Sequence, residues 1–270
     1  MRAIFREVGQ SQWDDTNDEN ISAVGGLPSA VVFSREPDMK STQYGEYLIQ
    51  LTRLGMVNCF LVREEDGFTL VDTNLPGSAK GILQTARQYG ASITRIVLTH
   101  AHGDHVASLD ALRAELPQAE IALSRREARF LAGDMSLDPV EPQARLRGGY
   151  LTCQTRPTRQ LEAGDRIGSL EVVASPGHTP GHAAFLDVRD RTLIAGDSFV
   201  VLGGVAVTGV VHWLFPLPHL ATWHPPTARQ SARAMRGLNP SRLAVGHGKT
   251  LENPLEAMDR AIREADQKFG

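Results

Sequence analysis

One pattern constrains this chain more than any other, and it recurs four times. An apolar, strand-like run ends in a glycine-containing turn, and that turn carries a histidine or an aspartate. Residues 95–99 lead into His100-Ala-His102-Gly-Asp104-His105, and residues 170–174 lead to His178 through a Pro-Gly turn. Residues 192–195 lead to Gly-Asp197, and residues 242–245 to Gly-His247. In an extended segment residues two apart point the same way, so His100 and His102 can meet at one point. The chain then turns at Gly103, and Asp104 and His105 open the next helix and face back across the same space. Alone, Asp104 would read as a helix N-cap and His247 as a surface turn residue. Together, five of nine histidines fall in these turns, which is the mark of a metal site. Ligands gathered from several strand ends at one sheet edge are how α/β proteins assemble sites. Imidazole and carboxylate without thiolate suit zinc, iron or manganese.

Around these turns strands and helices alternate. Residues 47–52, 58–62 and 68–72 read as strands, 78–89 as a helix opened by Ser78 and stopped by Gly90. A strand at 95–99, a helix at 105–116, a strand at 120–123 and a short helix from Arg125 follow. Residues 133–160, with three prolines and little periodicity, read as an irregular insertion. Strands return at 170–174, 183–188 and 192–195, then a helix at 227–238, a strand at 242–245 and an amphipathic helix at 254–268. The order fits an α/β fold whose sheets are covered by helices on their outer faces. Residues 1–38 differ: 10–20 is polar and acidic with one Trp, Gly25, Gly26, Pro28 and Pro37 break any regular pattern, and the segment reads as an N-terminal extension to a domain spanning 39–270.

Composition removes several classes of function. A net charge of −3 and no Lys/Arg run argue against nucleic acid or an anionic membrane as partner. Cys59 and Cys153 make neither a disulfide framework nor a metal-type spacing, so they read as thiols in a reducing cytoplasm. No apolar leader opens the sequence. The longest apolar stretch, 199–215, is interrupted by three glycines and His212, and is short of the roughly 20 residues of a membrane span. A cytoplasmic protein acting on a small molecule, alone or as a homo-oligomer, is the expectation.

The segments Thr-His-Ala-His-Gly-Asp-His ending at His105, Gly-His-Thr-Pro-Gly-His around His178, Ala-Gly-Asp ending at Asp197 and Gly-His-Gly at His247 resemble the metallo-β-lactamase superfamily of hydrolases. The resemblance runs from about Tyr47 to Lys249. It implies an αββα sandwich, two mixed sheets flanked by helices, with a site for two zinc ions, or iron or manganese, between the sheets. One ion would take His100, His102 and His178, and the other Asp104, His105 and His247, with Asp197 bridging. Asp72 and His182 match supporting positions rather than ligands. A metal-activated hydroxide would attack a carbonyl, with Asp104 as the catalytic residue that orients it and moves its proton.

Within that family, Asp197 argues against the best-known β-lactamase subclasses and His102 against the flavodiiron proteins. Glyoxalase II enzymes share every ligand but add a C-terminal helical region, whereas 23 residues follow His247. The expectation is hydrolysis of an ester, lactone or thioester. Residues 199–223 are apolar and follow Asp197 directly, which makes Trp213, Phe215 and Trp223 candidate substrate-binding residues beneath a lid. The alternative on the same ligands is a mononuclear iron persulfide dioxygenase.

Overall fold

The computed structural model describes residues 39–211 and 217–269. Strands β1 (Met39–Tyr44), β2 (Leu48–Arg53), β3 (Val57–Glu64) and β4 (Gly67–Val71) form an antiparallel meander. Helix α1 (Ala79–Gln88) leads to β5 (Ile93–Leu98), which joins β4 in parallel. After α2 (Gly103–Val106) and α3 (Leu109–Glu115) comes β6 (Glu120–Ser124), also parallel. Helix α4 (Arg125–Leu131) and a long irregular segment lead to β7 (Arg159–Leu161), which completes a seven-stranded sheet in sequence order.

The second sheet starts with the antiparallel run β8 (Arg166–Ile167), β9 (Leu170–Ala174), β10 (Ala183–Asp187) and β11 (Thr192–Ile194). A two-stranded ribbon, β12 (Phe199–Val200) and β13 (Ala206–Val207), and helices α5 (Leu217–Ala221) and α6 (Pro225–Gly237) follow. Strand β14 (Arg242–Ala244) then adds in parallel to β11, and β15 (Leu251–Glu252) pairs with its free edge. Helix α7 (Leu255–Phe269) comes last.

Period-two alternation sorts the strand side chains into three layers. In β3, Phe60 and Val62 face the other sheet while Cys59 and Leu61 face α1 and α3. In β10, Phe185 joins Phe60 between the sheets, while Ala184 and Leu186 point to the opposite face. There they meet Met258, Ala261, Ile262 and Ala265 of α7, spaced as one helical stripe. Helix, sheet, sheet and helix follow in that order, an αββα sandwich. Each fully buried Leu, Val or Phe contributes about 1.5–3 kcal/mol, so these three apolar interfaces hold the layers together.

Three local features depart from the sequence expectation. Strand β1 pairs along the edge of β2 although Met-Lys-Ser-Thr-Gln-Tyr carries almost no apolar signal, because an edge strand half open to solvent needs little of one. The helix expected at 105–116 is broken at Ala107 and Ser108. There the Ser108 hydroxyl donates to Leu75 O (2.7 Å) and accepts from Ser78 N (2.9 Å), which ties the break to the start of α1. Strand β7 lies at the end of the segment read as irregular, and its three residues are too few to show a period. Among the described residues no helix is long and apolar enough to cross a membrane.

Candidate metal centre

Because β4 runs parallel to β5, and β11 to β14, the turns that follow these strands open at one end of the sandwich. The sheets are joined there by backbone bonds. Ala183 N donates to Thr99 O (3.0 Å), and Asn58 N donates to Gly246 O (2.9 Å). The turns after β4, β5, β9, β11 and β14 thereby bring Asp72, His100, His178, Asp197 and His247 to one seam.

Each histidine of the cluster has one ring nitrogen held by the protein and the other turned inward. His105 Nδ1 donates to Asp72 Oδ2 (2.8 Å), and His100 Nδ1 donates to Thr99 Oγ1 (2.9 Å), which itself donates to Asp72 Oδ2 (2.8 Å). One carboxylate therefore sets two rings and places both protons on Nδ1. Asp72 reaches this position at φ 62°, a left-handed conformation that non-glycine residues adopt at a cost. His102 is reversed: Nε2 donates to Arg147 O (3.1 Å) and Nδ1 lies 3.0 Å from His178 Nε2. His178 Nδ1 bonds Thr208 Oγ1 (3.1 Å) and Thr222 Oγ1 (3.3 Å), and His247 Nδ1 bonds Met56 O (3.2 Å).

The inward atoms form overlapping groups. Those of His100, His102 and His178 lie within 4.8 Å of one another, as do those of Asp104, His105 and His247. A third such group joins His100 and His105 to Asp197. Asp197 stands between the first two, with Oδ2 3.4 Å from His178 Nε2 and 3.2 Å from His247 Nε2, and Oδ1 3.3 Å from His105 Nε2. All seven side chains picked out from the sequence meet here. Asp104 alone is open to solvent, at 34% exposure, with Oδ2 3.3 Å from His247 Nε2.

His100 Nε2, His105 Nε2 and Asp197 Oδ1 are buried and make no hydrogen bond. A buried polar atom left without a hydrogen bond costs about 1–3 kcal/mol. His100 Nε2 has none, and His105 Nε2 and Asp197 Oδ1 face each other only as an ion pair at 3.3 Å, so the three together mark a place suited to a cation. The electrostatics agree. Burial and the neighbouring rings keep His100 well below the ordinary histidine range, and burial takes His102 down to about 4, so both present lone pairs. Burial opposes charge on His247 too, but Asp197 and Asp104 lift it to about 10. Burial disfavours the Asp197 carboxylate, yet His247 and His105 hold it well below the usual range, ionised. Burial opposes charge on His105 as well, but Asp197, Asp72 and Asp104 raise it well above the ordinary range. A divalent cation placed between these carboxylates would take the place of the protons on His105 and His247, since a metal and a proton compete for the same ring nitrogen.

Several supporting residues were not visible in the sequence. Gln50 and Asn58, both buried, brace the His247 turn. Gln50 Nε2 donates to Gly248 O (3.1 Å) and Asn58 Nδ2 to Val245 O (2.8 Å). His182, by contrast, was expected at a supporting position: it accepts from Asp197 N at Nε2 (3.1 Å) and bonds Ser175 Oγ at Nδ1 (2.8 Å), so both its nitrogens are used in holding the turn. Glu127 on α4 bonds the two histidine loops. Its only sequence signal, Ser124-x-x-Glu127, reads as an ordinary capping box.

Of the substrate-binding candidates, Trp213 and Phe215 lie outside the described residues. Trp223 is 3% exposed and acts as a tie: its backbone N donates to His178 O (2.9 Å) and its indole N–H to Ala144 O (3.1 Å). Phe199, Val201, Val207 and Val210, from the same apolar stretch, pack with α6 and α7 in the outer layer of the second sheet. His224 bonds Thr227 at the start of α6 (2.7 Å), and His219 bonds Gly209 O (2.6 Å).

Two sheets between helices, with metal-binding histidines and aspartates where their strand ends meet, define a metallo-hydrolase type of protein. The chain belongs to the metallo-beta-lactamase superfamily, whose sequence pattern matches residues 52–247. It is 49% identical to an uncharacterised protein of Bacillus subtilis, YobT, over 84% of this chain and 99% of that protein. A probable metallo-hydrolase of the same organism, YflN, is 26% identical over 70% of this chain and 78% of its own. Among solved structures, TTHA1623 in a di-iron-bound form has a TM-score of 0.59 and 27% identity, covering 78% of this chain and 97% of that one.

Proposed function

We propose that this protein is a dinuclear metal-dependent hydrolase that cleaves an ester, lactone or thioester of a small molecule. The observation that carries the reading is the set of three buried ligand atoms without a hydrogen bond at the meeting point of seven histidine and aspartate side chains. His100, His102 and His178 would hold one ion and Asp104, His105 and His247 the other, with Asp197 between them. Ions held there would acidify a water and polarise a substrate carbonyl.

The chain's own residues do the rest. Asp72 and Thr99 fix the rings of His100 and His105, so their lone pairs need no rearrangement during reaction. His182 and Gly246 hold the backbone of the Asp197 turn from two sides. Asp104, the exposed member of the set, takes the proton of the attacking water at its carboxylate and passes it to solvent or to the leaving group.

Imidazole and carboxylate donors without thiolate support zinc as the first reading, and the di-iron form of TTHA1623 supports iron as the second. The test is metal analysis of protein purified without added metal, followed by a screen of esters, lactones and thioesters. About two zinc ions per chain with turnover supports the proposal. About one iron per chain with oxygen-dependent persulfide consumption would replace it with the dioxygenase.

A further inference from the structure

Outside the ligand set, one buried ionisable group touches both loops that supply the three-histidine position. Glu127, on the first turn of α4, is fully buried. Its Oε2 accepts from Ala101 N (2.9 Å), the amide between His100 and His102. Its Oε1 accepts from Thr179 Oγ1 (2.7 Å), next to His178, and from Gly181 N (2.9 Å) on the same loop. A second bond closes the arrangement: Ser124 Oγ donates to Gly181 O (2.6 Å) while accepting from Glu127 N (3.1 Å). The loop lies so close to α4 that a Cβ on Gly181 would sit 2.6 Å from Arg126 Cβ and 2.8 Å from Glu127 N.

We propose that Glu127 is a positioning residue that sets the distance between the His100–His102 loop and the His178 loop, and through it the affinity of the three-histidine position for a divalent cation. The proposal rests on the metal reading above. In a Ser-x-x-Glu sequence the glutamate would ordinarily return to the N-cap backbone N–H. Here it turns instead to three donors on two other segments. All three partners donate, and an ionised carboxylate is the side chain that only accepts. Burial pushes the carboxyl up to about 7 against the pull of these donors.

Glu127→Gln separates the two contacts. The amide oxygen can still serve Thr179 and Gly181, while its NH2 group meets the Ala101 N–H, donor against donor, and frees the His100–His102 loop. The experiment is Co2+ titration of the metal-free protein with a competing chelator, read from the visible absorption of each site. Loss of a supporting hydrogen bond weakens metal binding by about 10–100-fold, expected here at one position, with the other within about threefold of wild type. Amide exchange at Ala101 in the metal-free variant should quicken, a readout independent of any ion. If Glu127→Gln does not fold, Thr179→Val removes one donor without changing volume and should shift the same position in the same direction. Unchanged affinity at both positions overturns the proposal, and so does equal loss at both, since that is the signature of a general structural role. A wild type that binds fewer than two ions argues against the dinuclear reading alone. Glu127→Gln must then still weaken the ion it holds, and failure to do so refutes the positioning role.

Discussion

Adding one methyl group at Gly246 tests the arrangement of the centre without removing any ligand. A Cβ there would stand 2.1 Å from Asp197 Oδ1 and 2.7 Å from His105 Cε1. Contacts under 3.0 Å essentially do not occur for real Cβ atoms, so the carboxylate oxygen must retreat by about 0.9 Å or the backbone must yield. The backbone is poorly placed to yield, because Gly246 N donates to Gly196 O (2.9 Å) and Gly246 O accepts from Asn58 N (2.9 Å). Gly246 has no positive φ, so alanine brings a steric clash and no conformational strain. Overpacking of this kind costs about 1–3 kcal/mol, and if it falls on the bridging carboxylate the loss in metal affinity is about 5- to 150-fold. Gly246→Ala should therefore lose metal under chelator competition while its circular dichroism matches wild type. Gly237→Ala, where an added Cβ meets nothing within 4 Å, serves as the control. A Gly246→Ala protein that holds both ions with wild-type affinity would show that Asp197 is not held against them as described.

Further expectations follow from single contacts. His100→Ala or His178→Ala should leave a protein short of about one ion per chain, because each position loses one of three protein ligands; full metal content with full turnover would refute the ligand assignment. Tyr150 packs edge-on against His102, with ring centres 4.6 Å apart, and its buried hydroxyl has no hydrogen-bond partner among the described residues. Tyr150→Phe should therefore keep or raise stability, by up to about 1 kcal/mol in thermal unfolding, and a large loss would reveal a partner for that hydroxyl.

The ligands were legible in the sequence because each carries two coincident signals, an apolar strand and a glycine turn, and neither depends on distant residues. The family pattern then supplied the layer order. What stayed hidden depends on contacts remote in sequence. Strand β1 is a strand because β2 offers it an edge, and Ser108 breaks a helix because Leu75 and Ser78 lie beneath it. Trp223 reads as a substrate-binding aromatic until Ala144 O, 79 residues away, is found within reach of its indole. Glu127 is hidden differently: its local pattern is a correct helix start, and only the fold shows the carboxylate turned to another use.

The division of ligands between the two sheets has a mechanical consequence. His100, His102, Asp104 and His105 follow a strand of the first sheet, and His178, Asp197 and His247 follow strands of the second. Neither sheet can complete either position alone. An ion bound at the seam would thus be a staple between two halves of the polypeptide that are otherwise joined there by backbone bonds, by the side chains of Gln50, Asn58, Ser124 and Glu127, and by the apolar layer between the sheets. The ligands come together only in the folded chain, so whatever free energy the ion releases on binding is added to the cohesion of the sandwich. Stripping the metal should open the protein first along this seam, with amide protection falling at Asn58, Ala183 and Gly246 before it falls in the helix-covered outer faces.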